Sequence, residues 1–179
     1  MEINALKKEI IVMIGMSFSG KSYYVDLHYL PHYQLVSKIH VLKNLKTDKE
    51  DPYHDLLDAM KLIVKSHMTK GLPIVIDQNN LTINTIFMWN CLANEFKYDI
   101  KAVLIDTPFS VCMDRIKYAF SGAPIPAKLV ERMTIEKEKI EELKIILKMK
   151  HQSILKNIEY IKLYNENDEL KEPNNTITV

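Results

Sequence analysis

The octet Gly15-Met16-Ser17-Phe18-Ser19-Gly20-Lys21-Ser22 follows directly on the apolar run Ile10-Ile11-Val12-Met13-Ile14. An apolar strand running straight into a glycine-bounded loop that ends in Lys-Ser is the Walker A arrangement, and it constrains the fold more than any other stretch of the chain. The glycines let the backbone curl until successive N–H groups face inward at phosphate oxygens. Lys21 then reaches the β- and γ-phosphates, and the Ser22 hydroxyl faces Mg²⁺. Gly15, Ser17, Phe18, Ser19, Gly20, Lys21 and Ser22 are therefore the expected nucleotide-binding residues. Tyr23 to Leu30 can continue as a helix, whose N-terminal dipole favours bound phosphates.

Beyond this loop, strand and helix patterns alternate. After the Leu30-Pro31-His32 break, Tyr33 to Ser37 reads as a short second strand. Lys43 to Pro52 is charged and aperiodic, which predicts an exposed loop, whereas Leu56, Leu57, Met60, Ile63, Val64 and Met68 mark one face of a helix ending near Gly71. Pro73 to Asp77 and Ile100 to Asp106 are apolar strands that each end in an aspartate. Between them, Thr82 caps a helix carrying Ile86, Phe87, Trp89, Cys91, Leu92 and Phe96. A helix over Pro108 to Ala119, a loop over Ser121 to Pro126, a long charged helix from Ala127 to Met149 and a last strand over Ile158 to Leu163 complete the pattern. Parallel neighbours need crossover connections, so this succession predicts an α/β, three-layer P-loop NTPase fold with a mostly parallel sheet. Residues 1–164 are expected to form a single domain, and the polar, Asn-rich residues 165–179 a loosely held tail.

Composition narrows the partners. With 179 residues, 47% hydrophobic and 26% charged, the chain can bury a substantial core in one domain. A net charge of +1 gives no global field to gather polyanions, which argues against tight nonspecific DNA binding. No stretch approaches the ~20 apolar residues of a bilayer span, and the amino terminus has no basic-then-apolar leader; a cytoplasmic location without a membrane partner is expected. Cys91 and Cys112 lie in apolar, helix-like segments outside any Cys-x-x-Cys pattern, which predicts buried thiols. His28 and His32 have i,i+4 spacing, but Pro31 between them ends the helix that a shared metal would need. Oligomeric state is left open.

A P-loop names a nucleotide and no reaction. No Asn-Lys-x-Asp guanine-reading sequence occurs, which favours ATP. Asp77, at the end of an apolar strand, can hold Mg²⁺ directly or through water, or can cap the turn that follows. Asp106 occupies a similar strand end. Phosphoryl transfer also needs positive charge on the transferring group, and Arg115, just before the Ser121 to Pro126 loop, is the leading candidate, with Lys117, Lys128 and Arg132 nearby in sequence.

With these residues in place, the chain resembles the P-loop kinase family that includes phage-type polynucleotide 5′-hydroxyl kinases and related small ATP-dependent kinases. The resemblance runs over roughly residues 9 to 140. It is carried by Gly15 to Ser22, by Val75-Ile76-Asp77-Gln78-Asn79-Asn80-Leu81-Thr82, by Asp106-Thr107-Pro108 leading to Arg115, and by Pro126 to Met133. It implies a nucleoside-kinase-like fold with a helical lid. It also implies Arg115 as a lid arginine on the ATP phosphates, Lys21 as the transition-state lysine, and Ser22 with Asp77 as the Mg²⁺ environment. The chain departs from the family at the acceptor side. Where the polynucleotide kinases carry an acidic pair that includes the general base, the aligned positions are approximately Ile39 and His40, and only His40 can accept a proton at neutral pH. Ala119 replaces a second lid arginine, and no basic residue occurs from Ile83 to Met88. Ser17 and Phe18 stand where the family more often has Pro-Gly, so the loop can differ in conformation while keeping Lys21 and Ser22.

The expected catalytic set is therefore Lys21, Asp77, Arg115 and His40, with ATP and Mg²⁺ as cofactors. The first functional expectation is a kinase that phosphorylates a hydroxyl on a nucleic-acid end or nucleoside-like group. Loose phosphoryl-transfer transition states depend more on positioning and charge than on a strong base. A small-molecule kinase is the neighbouring alternative. A nucleotide-binding regulatory module without turnover is the alternative from another class, with the stripe Ile140, Leu143, Ile146 and Leu147 either meeting another subunit or packing on the chain's own sheet.

Overall fold

All six residues of β1 (Glu9–Ile14) are buried. A strand apolar on both faces belongs in the middle of a sheet covered on both sides. The computed structural model, which describes residues 7–45, 53–148 and 158–161, places it there. β1 pairs in parallel with β3 (Ile74–Asp77) and β4 (Asp99–Ile105). β2 (Gln34–Ser37) adds in parallel to β3, and β5 (Ile158–Ile161) to β4, giving the order β2-β3-β1-β4-β5. The α/β reading with a parallel sheet is borne out.

Side chains alternate across this sheet as the pleat requires. Ile11 and Met13 face the cluster built with Tyr24 and Val25 of α1 (Lys21–His28). Ile10 and Val12 face Leu56, Met60 and Val64 of α3 (Tyr53–Thr69) and Trp89 of α4 (Ile83–Phe96). Ile14 and Leu104 meet Cys112 and Ile116 of α5 (Phe109–Ala119) and Met133, Ile140 and Leu143 of α6 (Ala127–Lys148). Each fully buried Ile or Val contributes roughly 1.5–3 kcal/mol relative to exposure, so β1 is the energetic centre of the domain. The α6 stripe packs on the chain's own core, with Leu147 partly buried against it.

Two expectations are corrected. Cys91 is exposed, while Cys112 is buried. Cys91 lies one helical turn from Phe87, which is 50% exposed, so both stand on the outer face of α4 while Ile86, Trp89, Leu92 and Ala93 face inward. Lys43 and Asn44, expected in a loop, close the short helix α2 (Lys38–Asn44). None of its residues is buried, so it leaves no strong apolar period to read; Val41, Leu42 and Leu45 only half-pack against the core. The rest of that predicted loop, residues 46–52, lies outside the described residues, as do Met149 at the end of the long helix, residues 162–163 of the last strand, and the 165–179 tail. Among the described residues no helix is long and apolar enough to cross a membrane.

Because the strands are parallel, their C-terminal ends share one edge, and ligands of such sheets bind in the crevice outside that edge. Ile14, Ser37, Asp77 and Ile105 end there, with Ser37 in register with Asp77.

Candidate active site

The chain leaves β1 at Gly15, whose φ of 151° and cramped surroundings explain the glycine: a Cβ would stand 2.8 Å from the Ile105 carbonyl oxygen and 2.9 Å from Ser19 Oγ. Gly20, at φ 100°, turns the loop into α1. Phe18 holds a left-handed φ of 61°, which costs a non-glycine residue roughly 1–2 kcal/mol. The loop thus keeps a glycine-like bend at a position where this chain has Phe, and its Phe18 carbonyl accepts a hydrogen bond from Arg115 Nη1 at 3.0 Å.

Neighbouring strand ends fasten the loop. Thr107, just after β4, donates its hydroxyl to the Ser19 carbonyl at 2.6 Å. Gly15 N–H donates to the Asn79 carbonyl at 3.0 Å. Asn80, at φ 47°, donates to the Met13 carbonyl at 2.8 Å and accepts from Trp89 Nε1 at 3.0 Å, a buried polar network with both ends satisfied. Thr82 then caps α4 by accepting from Thr85 N–H at 3.3 Å.

Inside this frame, Lys21 is buried and its ammonium donates to the Met16 carbonyl at 2.7 Å. Burial pulls its pKa down to about 8, against the opposing pull of Asp77 and Glu136. Ser22 Oγ donates to Asp77 Oδ2 at 2.7 Å. This hydroxyl and carboxylate form an all-oxygen donor pair suited to a hard cation such as Mg²⁺, and among the described residues no cluster of three His, Cys, Asp or Glu competes with it. Ser19 Oγ is buried without a hydrogen-bond partner among the described residues, an orphan that a phosphate oxygen would satisfy. The residues present therefore fit a nucleoside triphosphate with Mg²⁺: Gly15 to Ser22 would hold the phosphates, and Ser22 and Asp77 the metal.

The structure brings Lys21, Ser22, Asp77 and Arg115 to one loop. It leaves His40 exposed on the first turn of α2, lining a groove of about 330 Å³ with Ser37, Val41 and Ile63. Asp106 forms an ion pair with Lys144 of α6, which also pairs with Glu141 at 2.9 Å. Lys117 pairs with Asp114 of its own helix at 2.9 Å, and Lys128 is exposed.

Glu136 was missed by the sequence reading. This α6 carboxylate is 7% exposed and accepts from Ser17 N–H at 2.7 Å, Ser17 Oγ at 3.0 Å and Asn79 Nδ2 at 2.9 Å. Arg132 Nε lies 3.6 Å away. Lys38, half-buried at the head of α2, has its pKa lowered by burial and by the Arg132 charge, with Glu136 opposing. The signal was present: Glu136 shares the buried stripe of Met133, Ile140 and Leu143, and a carboxylate on such a stripe needs partners.

A parallel sheet with a Walker A loop at the end of its central strand, and an acidic strand end bonded to the loop's serine, defines a P-loop kinase fold. A family model described as an AAA domain matches residues 10–122, and the chain belongs to this family of P-loop proteins. The chain is 28% identical over 123 residues to a protein of Acanthamoeba polyphaga mimivirus named as a bifunctional polynucleotide phosphatase/kinase, a match over 67% of this chain and 26% of that protein. It thus spans about a quarter of that relative's length. Among solved structures it is similar to a chain of the Pnkp1/Rnl/Hen1 RNA repair complex, with TM-score 0.60 and 15% identity over 79% of this chain and 48% of that one. A gluconokinase from Sinorhizobium meliloti 1021 aligns with TM-score 0.57 and 15% identity over 89% of this chain and 85% of that one. These structural likenesses establish the shared fold.

Proposed function

We propose that the protein is an ATP- and Mg²⁺-dependent phosphotransferase that moves the γ-phosphate to a hydroxyl, with a nucleic-acid 5′-hydroxyl or nucleoside-like acceptor. The carrying observation is the Ser22–Asp77 contact beside a buried Lys21 inside a loop already bent for phosphates. Mg²⁺ bound with ATP supplies charge neutralisation between the phosphates. Lys21 leaves the Met16 carbonyl for the β- and γ-phosphates, and Arg115, resting on Phe18, turns its remaining N–H groups to the transferring group. His40 lines the groove with Ser37, whose strand pairs with that of Asp77, and is the residue proposed to take the hydroxyl proton.

A small-molecule acceptor is the second reading, favoured by the lack of a basic residue from Ile83 to Met88, which suits an uncharged acceptor better than a polynucleotide. Both readings are tested by incubating the protein with labelled ATP, Mg²⁺, 5′-hydroxyl oligonucleotides and a nucleoside panel, alongside Lys21→Ala. A labelled product lost in Lys21→Ala is expected, and its identity separates the acceptors. Tight ATP binding with no Lys21-dependent product defeats the kinase reading in favour of a regulatory nucleotide-binding module.

A further inference from the structure

Ser17 and Glu136 are 119 positions apart in the chain, yet Glu136 takes both hydrogens that Ser17 can offer. The same carboxylate holds Asn79, whose Nδ2 also donates to Ser17 Oγ at 3.2 Å. We propose that Glu136 is a positioning residue that sets the opening segment of the P-loop, acting through Ser17, and locks that segment to α6. The inference rests on the reading of the loop as a phosphate cradle.

The argument begins with Lys21. Its ammonium rests on the Met16 carbonyl, so the Met16-Ser17 segment lies at the end of the loop that serves the β- and γ-phosphates. Its neighbour Phe18 carries an unfavourable positive φ, and a loop strained there relaxes unless its flanks are held. Arg115 holds one flank at the Phe18 carbonyl. Glu136 holds the other at the Ser17 N–H and hydroxyl. The carboxylate is itself fixed, because α6 buries Met133, Ile140 and Leu143 on either side of it and Lys144 pairs with Asp106 further along. A shift of α6 therefore pulls on Ser17, and loss of the carboxylate frees the segment on which Lys21 rests.

Proline at position 17 supplies no N–H and no hydroxyl, so Ser17→Pro removes both bonds to Glu136 while stiffening the loop by its own ring. In that background the carboxylate keeps Asn79, Arg132 and its pull on Lys21, but whatever it does through Ser17 is gone. A carboxylate that merely anchors α6 is needed equally in both.

The test is a double-variant cycle read by amide hydrogen exchange of Ser17 in the ligand-free protein and by calorimetric ATP affinity. Glu136→Ala should speed Ser17 exchange and weaken ATP binding by about tenfold. Ser17→Pro/Glu136→Ala should bind ATP within about twofold of Ser17→Pro alone. Glu136→Gln, which keeps the shape of the side chain in the α6 interface, should move both readouts in the same direction by about threefold, and it carries the test if the alanine variant does not fold. Unchanged Ser17 exchange in Glu136→Ala and Glu136→Gln, or an equal cost of removing Glu136 in both backgrounds, overturns the proposal. Turnover enters neither readout, so a protein that binds ATP without phosphorylating an acceptor defeats the kinase reading alone. If the wild type binds no ATP, the cradle reading fails and Ser17 exchange still tests the link.

Discussion

On the P-loop side of the sheet edge, Thr107 grips the Ser19 carbonyl, Asn79 and Asn80 tie the β3 turn to Gly15 and Met13, and Arg115 and Glu136 hold the residues between the glycines. On the β2 side, α2 buries none of its residues and His40 stands in solvent at the rim of a groove. Both regions hang from strands of the same sheet, so the difference is not one of scaffold. A site that must place a triphosphate within a fraction of an ångström needs its donors fixed before the ligand arrives, because reorganisation at the moment of reaction costs rate. The β2 side is held more lightly: Asn44 Nδ2 donates to the His40 carbonyl at 2.8 Å, and Val41, Leu42 and Leu45 half-pack against the core. On the proposed kinase reading an acceptor docked there would supply more of the ordering, and changes there should be tolerated better.

The comparison is broken most directly at Arg115. If the donor side is preorganised, Arg115→Ala should lower kcat/KM by roughly 100-fold or more, with ATP affinity changed much less. An unchanged kcat/KM would show that the Phe18 contact is only a resting place for a surface arginine.

At the acceptor side the expected loss is smaller. His40→Ala should lower kcat about tenfold, less than a positioned base usually contributes because a loose transition state asks little of one, and should leave ATP affinity nearly unaltered. Equal turnover in the variant removes His40 from the mechanism.

Lys21 sharpens the contrast through pH. Its pKa in the free protein is about 8, held down mainly by burial, and bound phosphates favour the ammonium and raise that value. ATP binding should therefore take up a proton above pH 8, and affinity should fall by several-fold as pH climbs from about 8 toward 9. Folding shows the opposite slope: the unfolded chain holds Lys21 near 10.5, so its burial penalty is fully present below about pH 8 and fades as pH rises from 8 toward 10.5. Calorimetry in buffers of differing ionisation enthalpy reads the proton uptake. A pH-independent affinity from 7 to 9 would show that Lys21 is charged throughout.

The same division governs what could be read from the sequence. Gly15 to Ser22, Asp77 and the Asn79 to Thr82 turn were legible because a strand end, a glycine bend and a cap each impose a residue type on a short stretch. The parallel sheet followed from alternation of apolar strands with helices. α2 was not legible, since a seven-residue helix without a buried face leaves no period to detect. Cys91 misled because its neighbours in sequence are apolar while its neighbours on the helix surface, Phe87 among them, face solvent. For Glu136 the stripe of Met133, Ile140 and Leu143 signals a carboxylate in need of partners, but which partners is hidden, because Ser17 and Asn79 are brought to it only by folding.

Phe18→Gly is the smallest change and the finest test of the donor side. Glycine relieves the positive φ at this position but gives the unfolded chain more freedom, and it removes a ring that is 38% exposed and loses the area that ring keeps covered. These effects oppose one another, so the variant should unfold within about 1 kcal/mol of the wild type. ATP affinity should hold as well, because Arg115 and Glu136 grip the backbone carbonyl of residue 18 and the flanking Ser17, contacts that need no phenyl ring. A stability loss well beyond 1 kcal/mol in denaturant titration, or a tenfold loss of ATP binding, would mean that the Phe18 ring itself packs against the nucleotide or the loop, and that the donor side is held by side-chain packing as much as by the bonds at its flanks.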